Sequence, residues 1–404
     1  MSKLSGVTNG EVTSSQLSKM LYLFSLGSAA LIVPSAMITL AKQDAWISLF
    51  LVIPFHFLLI IIYLQLFKRF PRLTIAQYAE KIAGKWLGKG ITFSYVFFFL
   101  LLSSLVLRNM TDFVSKSVLP QTPDWFVGGT FMFVVVYGVY LGIETIARTG
   151  ELLFIGGTLV MILITLILMN QMHLENLKPI MGNGWTMPFK GMYPLLGFPI
   201  CEGVFITALL PLVQEKDREK LRKNLFSAVL LTVAVSALVI VLVLAVLGAS
   251  EAIRSPFAVY EMVKLINIED IVVRVEILFA VVFIGTVFMK LVLTVYVLAV
   301  LLAQMLGSTC YRPYVYPCGF LIAPLSLVVY RNSVHSSIFA TDVWTVYSVA
   351  QGFLLPLFLL MAAVMLRKRS NQDGRFPIKE SDWRKMDAVG KKGEAISDAL
   401  PKQG

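Results

Sequence analysis

Runs of about twenty apolar residues recur along this chain. As helices rising 1.5 Å per residue, each is long enough to cross roughly 30 Å of hydrocarbon. Inside lipid every backbone amide and carbonyl must be satisfied within the structure, which leaves helices or a closed barrel. Barrel strands would alternate apolar and polar residues, whereas Tyr95 to Leu102 and Leu238 to Leu247 are continuously apolar. Composition agrees: 57% of the 404 residues are hydrophobic and 15% charged, against about 45–50% and about 25% in soluble domains. The chain is therefore expected to be an all-α integral membrane protein.

Ten spans are expected, near 16–41, 45–67, 90–108, 126–144, 150–170, 191–213, 224–249, 272–306, 313–331 and 341–366. Residues 250–270 are too polar to span, and 257–268 is expected to form a short helix at the surface. Positive charge favours cytoplasmic connections. With the N-terminus inside, inner segments carry 15 Lys and Arg before the tail and outer ones carry 9. Residues 1–15 then form a cytoplasmic segment, 16–366 the membrane domain, and 367–404 a basic, disordered cytoplasmic tail whose start meets anionic lipid. The net charge of +11 follows from this arrangement and calls for no nucleic acid. The polar first fifteen residues carry no cleavage-site pattern, so no removable signal peptide is expected.

Enzyme signatures are weak. Cys201, Cys310 and Cys318 show no CxxC spacing, and His56, His173 and His335 lie too far apart to suggest a metal site. The run from Gly84 to Gly90 is one residue short of a phosphate loop and lacks its Ser or Thr. No cofactor, metal or catalytic residue is expected. Glu144, Arg148 and Glu151 recur every three or four residues and are expected to pair across a helical connection.

Ten spans divide into halves at 16–170 and 191–366, and the first span of each half is interrupted. Span 1 carries Gly27, Ser28, Ala29, Ala30 and Pro34; span 6 carries Pro194, Gly197, Pro199, Gly203 and Pro211. Proline removes a backbone donor and clashes with the preceding turn. Interruptions at matching places in two halves mark a 5+5 inverted repeat with discontinuous helices 1 and 6, whose exposed backbone groups suit a small ligand. Two charges lie near mid-depth, Glu202 in span 6 and Lys290 in span 8. Each costs about 2.5–3.5 kcal/mol to insert and so needs a partner or a task. They either pair with one another or serve the pocket. Thr286, Lys290 and Thr294 share one helical face.

Several segments together resemble the B subunits of spore nutrient germination receptors. They are Gln43 to Ser48, Lys68 to Pro71 followed by Tyr78 to Lys85, Leu119 to Pro123 with Trp125, and Gly142 to Arg148. The resemblance covers residues 15–366. It implies the amino acid–polyamine–organocation transporter fold and the inner membrane of a bacterial spore. It also implies an A subunit and a lipoprotein C subunit as partners and a small nutrient, an amino acid foremost, as ligand. Carried over, the ligand segments are Gly27, Ser28, Ala29 and Ala30 in span 1 and 198–203 in span 6, including Phe198, Cys201, Glu202 and Gly203. Thr286 and Lys290 approach them, with Lys290 expected to stand in for a sodium ion. A secondary amino-acid transporter is the alternative the fold allows.

Overall fold

Thr13 and Gln16 satisfy each other's backbone amides in a capping box, which starts the first helix, α1 (Ser14–Leu26). It stops at Gly27, whose backbone (φ −26°, ψ −119°) leaves the helical region, and α2 (Ala29–Ala41) follows. The computed structural model describes residues 10–27, 29–182, 184–266, 275–330 and 339–368; the side chains of 29–31 and 340–341 lie outside that description. The first half continues with α3 (Ala45–Leu51), α4 (Ile53–Arg69), α5 (Ile75–Ala83), α6 (Lys85–Phe113), α7 (Asp124–Leu141) and α8 (Ile143–Leu168). Gly84 and Gly142 form the sharp α5–α6 and α7–α8 junctions at φ 86° and 99°, a region that L side chains avoid.

In the second half, α9 (Thr186–Leu195) breaks and resumes as α10 (Ile206–Leu209). Then come α11 (Arg218–Arg254), α12 (Ala258–Lys264), α13 (Val275–Met305) and α14 (Arg312–Val328), and last α15 (Asp342–Met365). Among the described residues eight helical runs are long and apolar enough to cross a membrane. The expected first span is divided at its break: α1, of 13 residues, is too short to count, and α2 from Ile32 onward belongs to the run Ile32–Arg69. The expected ninth is a helix of 17.

Burial separates the helices into two kinds. From Met289 to Leu301 every residue of α13 is buried, so this stretch is almost wholly apolar because protein surrounds it. Along α8 only Ile143, Ile146, Ala147, Gly150, Ile164 and Leu168 are buried. Apolar side chains such as Leu152, Ile155, Leu159, Ile162 and Leu166 are exposed along it, which suits contact with lipid rather than water.

The short helix expected within 257–268 is α12, which packs one face inward and leaves Lys264 exposed. Val259, Tyr260, Met262 and Val263 are buried, and the Tyr260 hydroxyl donates to the Ser117 carbonyl. Glu144, Arg148 and Glu151 lie inside the first turns of α8 rather than in a connection. Glu151 pairs with Lys19 of α1 at 2.7 Å, because the neighbouring helix presents its ammonium directly. A further tie joins the halves: Val12 N–H donates to the Leu212 carbonyl, and Gln214 N–H to the Val12 carbonyl.

Candidate functional site

The two interrupted segments meet in the middle of the bundle, and glycine sets how closely. A Cβ placed on Gly27 would stand 2.9 Å from Lys290 Cδ and 3.1 Å from Lys290 Cβ. The lysine stem therefore lies flat against the end of α1 only because Gly27 has no side chain. On the opposite segment, Leu196–Ile200 forms one widened turn in which Phe198 leaves helical geometry (φ −137°, ψ 104°). Pro199, lacking an N–H, cannot restore the ladder. A tightened turn, Cys201–Phe205, then leads into α10.

Glu202 and Lys290 are brought together. Lys290 Nζ donates to Glu202 Oε2 at 2.6 Å, and both side chains are fully buried. The other carboxylate oxygen, Oε1, accepts from Trp344 Nε1 at 2.7 Å. Above the ammonium lie two aromatic faces, Phe198 at 4.5 Å and Phe24 at 5.0 Å, which favour a cation through the ring quadrupole. Phe98 stacks on Trp344 with centroids 5.3 Å apart. The charges thus find counter-charge, hydrogen bond and cation–π contact at once, which a desolvated ion pair requires to be tolerated.

The remaining expected residues are distributed around this core. Cys201 is buried, and its carbonyl lies against Gly352 so closely that any side chain at 352 would collide with it. Gly203 faces open space, since a Cβ there meets nothing within 4 Å. Thr286 donates to the Phe283 carbonyl at 2.8 Å and lines a small apolar cavity of ≈ 40 Å³ that also touches Tyr22 and Phe154. On the same face as Lys290, Thr294 is buried and accepts from the Ser103 hydroxyl at 2.9 Å. Ala29 and Ala30 begin α2. Ser28 lies outside the described residues. Among the described residues no group of three or more His, Cys, Asp or Glu side chains is placed to hold a metal ion.

A second cavity, of ≈ 50 Å³, opens on the other side of the same two breaks. Ser25, Leu26 and Pro34 bound it from the first interrupted span, Pro199 and Ile200 from the second, His56 from α4, and Thr232 and Ser236 from α11. Of the expected ligand segments only Pro199 and Ile200 line it among the described residues. Sequence reading missed these polar groups and Trp344. His56 did carry a signal, being an ionisable residue inside an apolar span. Trp344 carried none, since a tryptophan near the start of a span also reads as an interfacial anchor.

A family model described as "Spore germination protein" matches residues 11–334. Spore germination protein KB of Bacillus subtilis (strain 168) is 27% identical over 360 residues, covering 88% of this chain and 95% of its own. Among solved structures, MHP1, a nucleobase-cation-symport-1 family transporter in a closed conformation with bromovinylhydantoin bound, superposes with a TM-score of 0.68. That match has 13% identity and covers 91% of this chain and 82% of the transporter. MhsT in complex with L-phenylalanine gives a TM-score of 0.61 at 12% identity, covering 88% of this chain and 99% of its own. At these identities the two structures establish the transporter-like fold.

Proposed function

The chain belongs to the spore germination protein family, and on that premise we propose that it is the nutrient-sensing membrane subunit of a spore germination receptor. Family and fold make it a multi-pass, non-enzymatic membrane protein. The proposed location is the inner membrane of the spore, with ten spans and both termini in the cytoplasm, and the proposed partners are an A subunit and a lipoprotein C subunit. The ligand is a small nutrient such as an amino acid, held between the interrupted spans 1 and 6. Gly27, Phe198, Cys201, Glu202, Gly203 and Thr286 surround that space and Lys290 balances its charge. Ser28, Ala29 and Ala30 belong to the same proposal by sequence.

One observation carries this reading. The two helix breaks, far apart in sequence, face each other across Lys290, whose stem packs on Gly27 and whose ammonium lies over Phe198. The solved transporters of like fold that carry bromovinylhydantoin and L-phenylalanine support a small-molecule ligand. A secondary transporter remains the second reading because those neighbours are transporters. Binding of amino acids, sugars and nucleosides to the purified protein tests the proposal, read as ligand-induced thermal stabilisation. Gly27→Trp is expected to abolish it. A full nutrient response in spores lacking the A or C subunit would overturn the receptor reading, and labelled ligand accumulating in proteoliposomes would replace it with transport.

A further inference from the structure

The space between the breaks has unlike walls. Toward α13, Glu202, Lys290 and Trp344 satisfy one another and two rings cover the ammonium. Toward α4 and α11, the ≈ 50 Å³ cavity is lined by four polar side chains set among aliphatic ones. Thr232 spends its proton on the Ala228 carbonyl at 2.8 Å. The other three are Ser25 (3% exposed), His56 (4% exposed) and Ser236. Among the described residues none of these three side chains has a hydrogen-bond or ionic partner. Buried polar groups in folded proteins are nearly always satisfied by protein, water or ligand. Two such groups, Ser25 and His56, converge with the half-buried Ser236 on one cavity beside both helix breaks and form a recognition surface awaiting a partner.

The chemistry of that partner follows from what is missing. No carboxylate, ammonium or guanidinium lines the cavity among the described residues, and the nearby charges of Glu202 and Lys290 already neutralise each other. A ligand bearing net charge would be desolvated without a counter-charge, which is far costlier than burying a hydrogen-bonded neutral group. We propose that this cavity binds a small molecule of zero net charge, uncharged or zwitterionic. Ser25, His56 and Ser236 read its polar end, and Leu26, Pro34 and Ile200 enclose its apolar body. This inference rests on the small-molecule reading above and specifies its ligand class and the side from which the ligand is held.

Size adds a consequence. A cavity of ≈ 50 Å³ has room for about three or four water-sized centres, so a nutrient of ordinary size enters only as the walls part. The walls without a continuous hydrogen-bond ladder are the end of α1 at Gly27 and the turn at Phe198–Pro199. Ligand binding is thereby coupled to movement of both breaks, and a molecule that prefers the parted state shifts the population toward it.

The test uses the full chain in lipid nanodiscs and four probes of similar size: propionamide, propionate, propylammonium and L-alanine. Saturable thermal stabilisation is expected from propionamide and L-alanine, with apparent affinity for the two ions weaker by about tenfold or more. Ser236→Phe fills the cavity from α11 without touching Glu202 or Lys290, and is expected to abolish the effect. His56→Leu, a milder change, should weaken it about tenfold without lowering the melting temperature of the unliganded protein. Full binding in Ser236→Phe, or equal affinity for the ions, overturns the inference and leaves the proposed function standing. If neither these probes nor the panel of amino acids, sugars and nucleosides shifts the parent protein, the small-molecule reading falls as well.

Discussion

The two sides of the helix breaks solve the burial of polar groups in opposite ways. On the α13 side the groups are fully charged, and the protein supplies every partner: an ion pair, an indole donor and two aromatic faces around Lys290 and Glu202. On the α4–α11 side the groups are neutral hydroxyls and an imidazole, and among the described residues Ser25, His56 and Ser236 have no partners. Desolvating an ion costs far more than desolvating a hydroxyl, so a fold can leave the second kind unsatisfied for a visitor but not the first. The charged wall is structure, and the neutral wall is available for binding.

The largest test of that contrast breaks the charged wall. Lys290→Met leaves a buried carboxylate without its counter-charge and is expected to destabilise the protein by about 3–5 kcal/mol, measured by denaturant unfolding in detergent. Combining it with Glu202→Gln should restore most of the loss, because the double variant buries no net charge. A single variant as stable as the parent would mean that water reaches the pair.

Glycines give a smaller, sharper comparison. Gly27→Ala forces the Lys290 stem away by a few tenths of an ångström and is expected to cost about 1–3 kcal/mol through overpacking. Gly203→Ala projects into open space and should stay within about 0.5 kcal/mol of the parent. Equal losses at both positions would show that backbone conformation rather than the lysine contact decides them.

On the neutral wall the sign reverses. His56→Leu removes a buried group without a partner, so unfolding free energy should be unchanged or higher by about 1 kcal/mol. A loss above about 2 kcal/mol would mean that the imidazole is already satisfied in the free protein. The smallest expected effect is none at all. With a fixed ammonium packed against the span-1 break, ligand-induced stabilisation should be the same in sodium and in choline buffer. A tenfold gain in affinity on adding sodium, about 1.4 kcal/mol, would assign Lys290 a different task.

Much of this was legible in the residues themselves. Continuous apolar runs dictated membrane helices because lipid leaves the backbone no other partner. Gly27 and the proline-rich stretch around Pro199 announced the breaks, since helix interruption is a local property of glycine and proline. Two isolated mid-span charges, Glu202 and Lys290, announced that each needed a partner, although their distance of 88 positions in the chain hid that they were each other's.

Other features arise from convergence, for which the sequence holds no local signal. Trp344 reaches Glu202 from 142 residues away. The cavity is made where Ser25, His56, Pro199 and Ser236 arrive from four separate segments. Ser25 and Ser236 are ordinary where they stand in their own helices; only the packing of α4 and α11 against the broken spans gathers them with His56 and Pro199 around one space. Hydropathy and backbone chemistry act over a few residues, and so the sequence alone determined which segments cross the membrane and where two of them break. Which polar groups end satisfied and which end free depends on neighbours brought in by the whole bundle, and that only the tertiary structure decided.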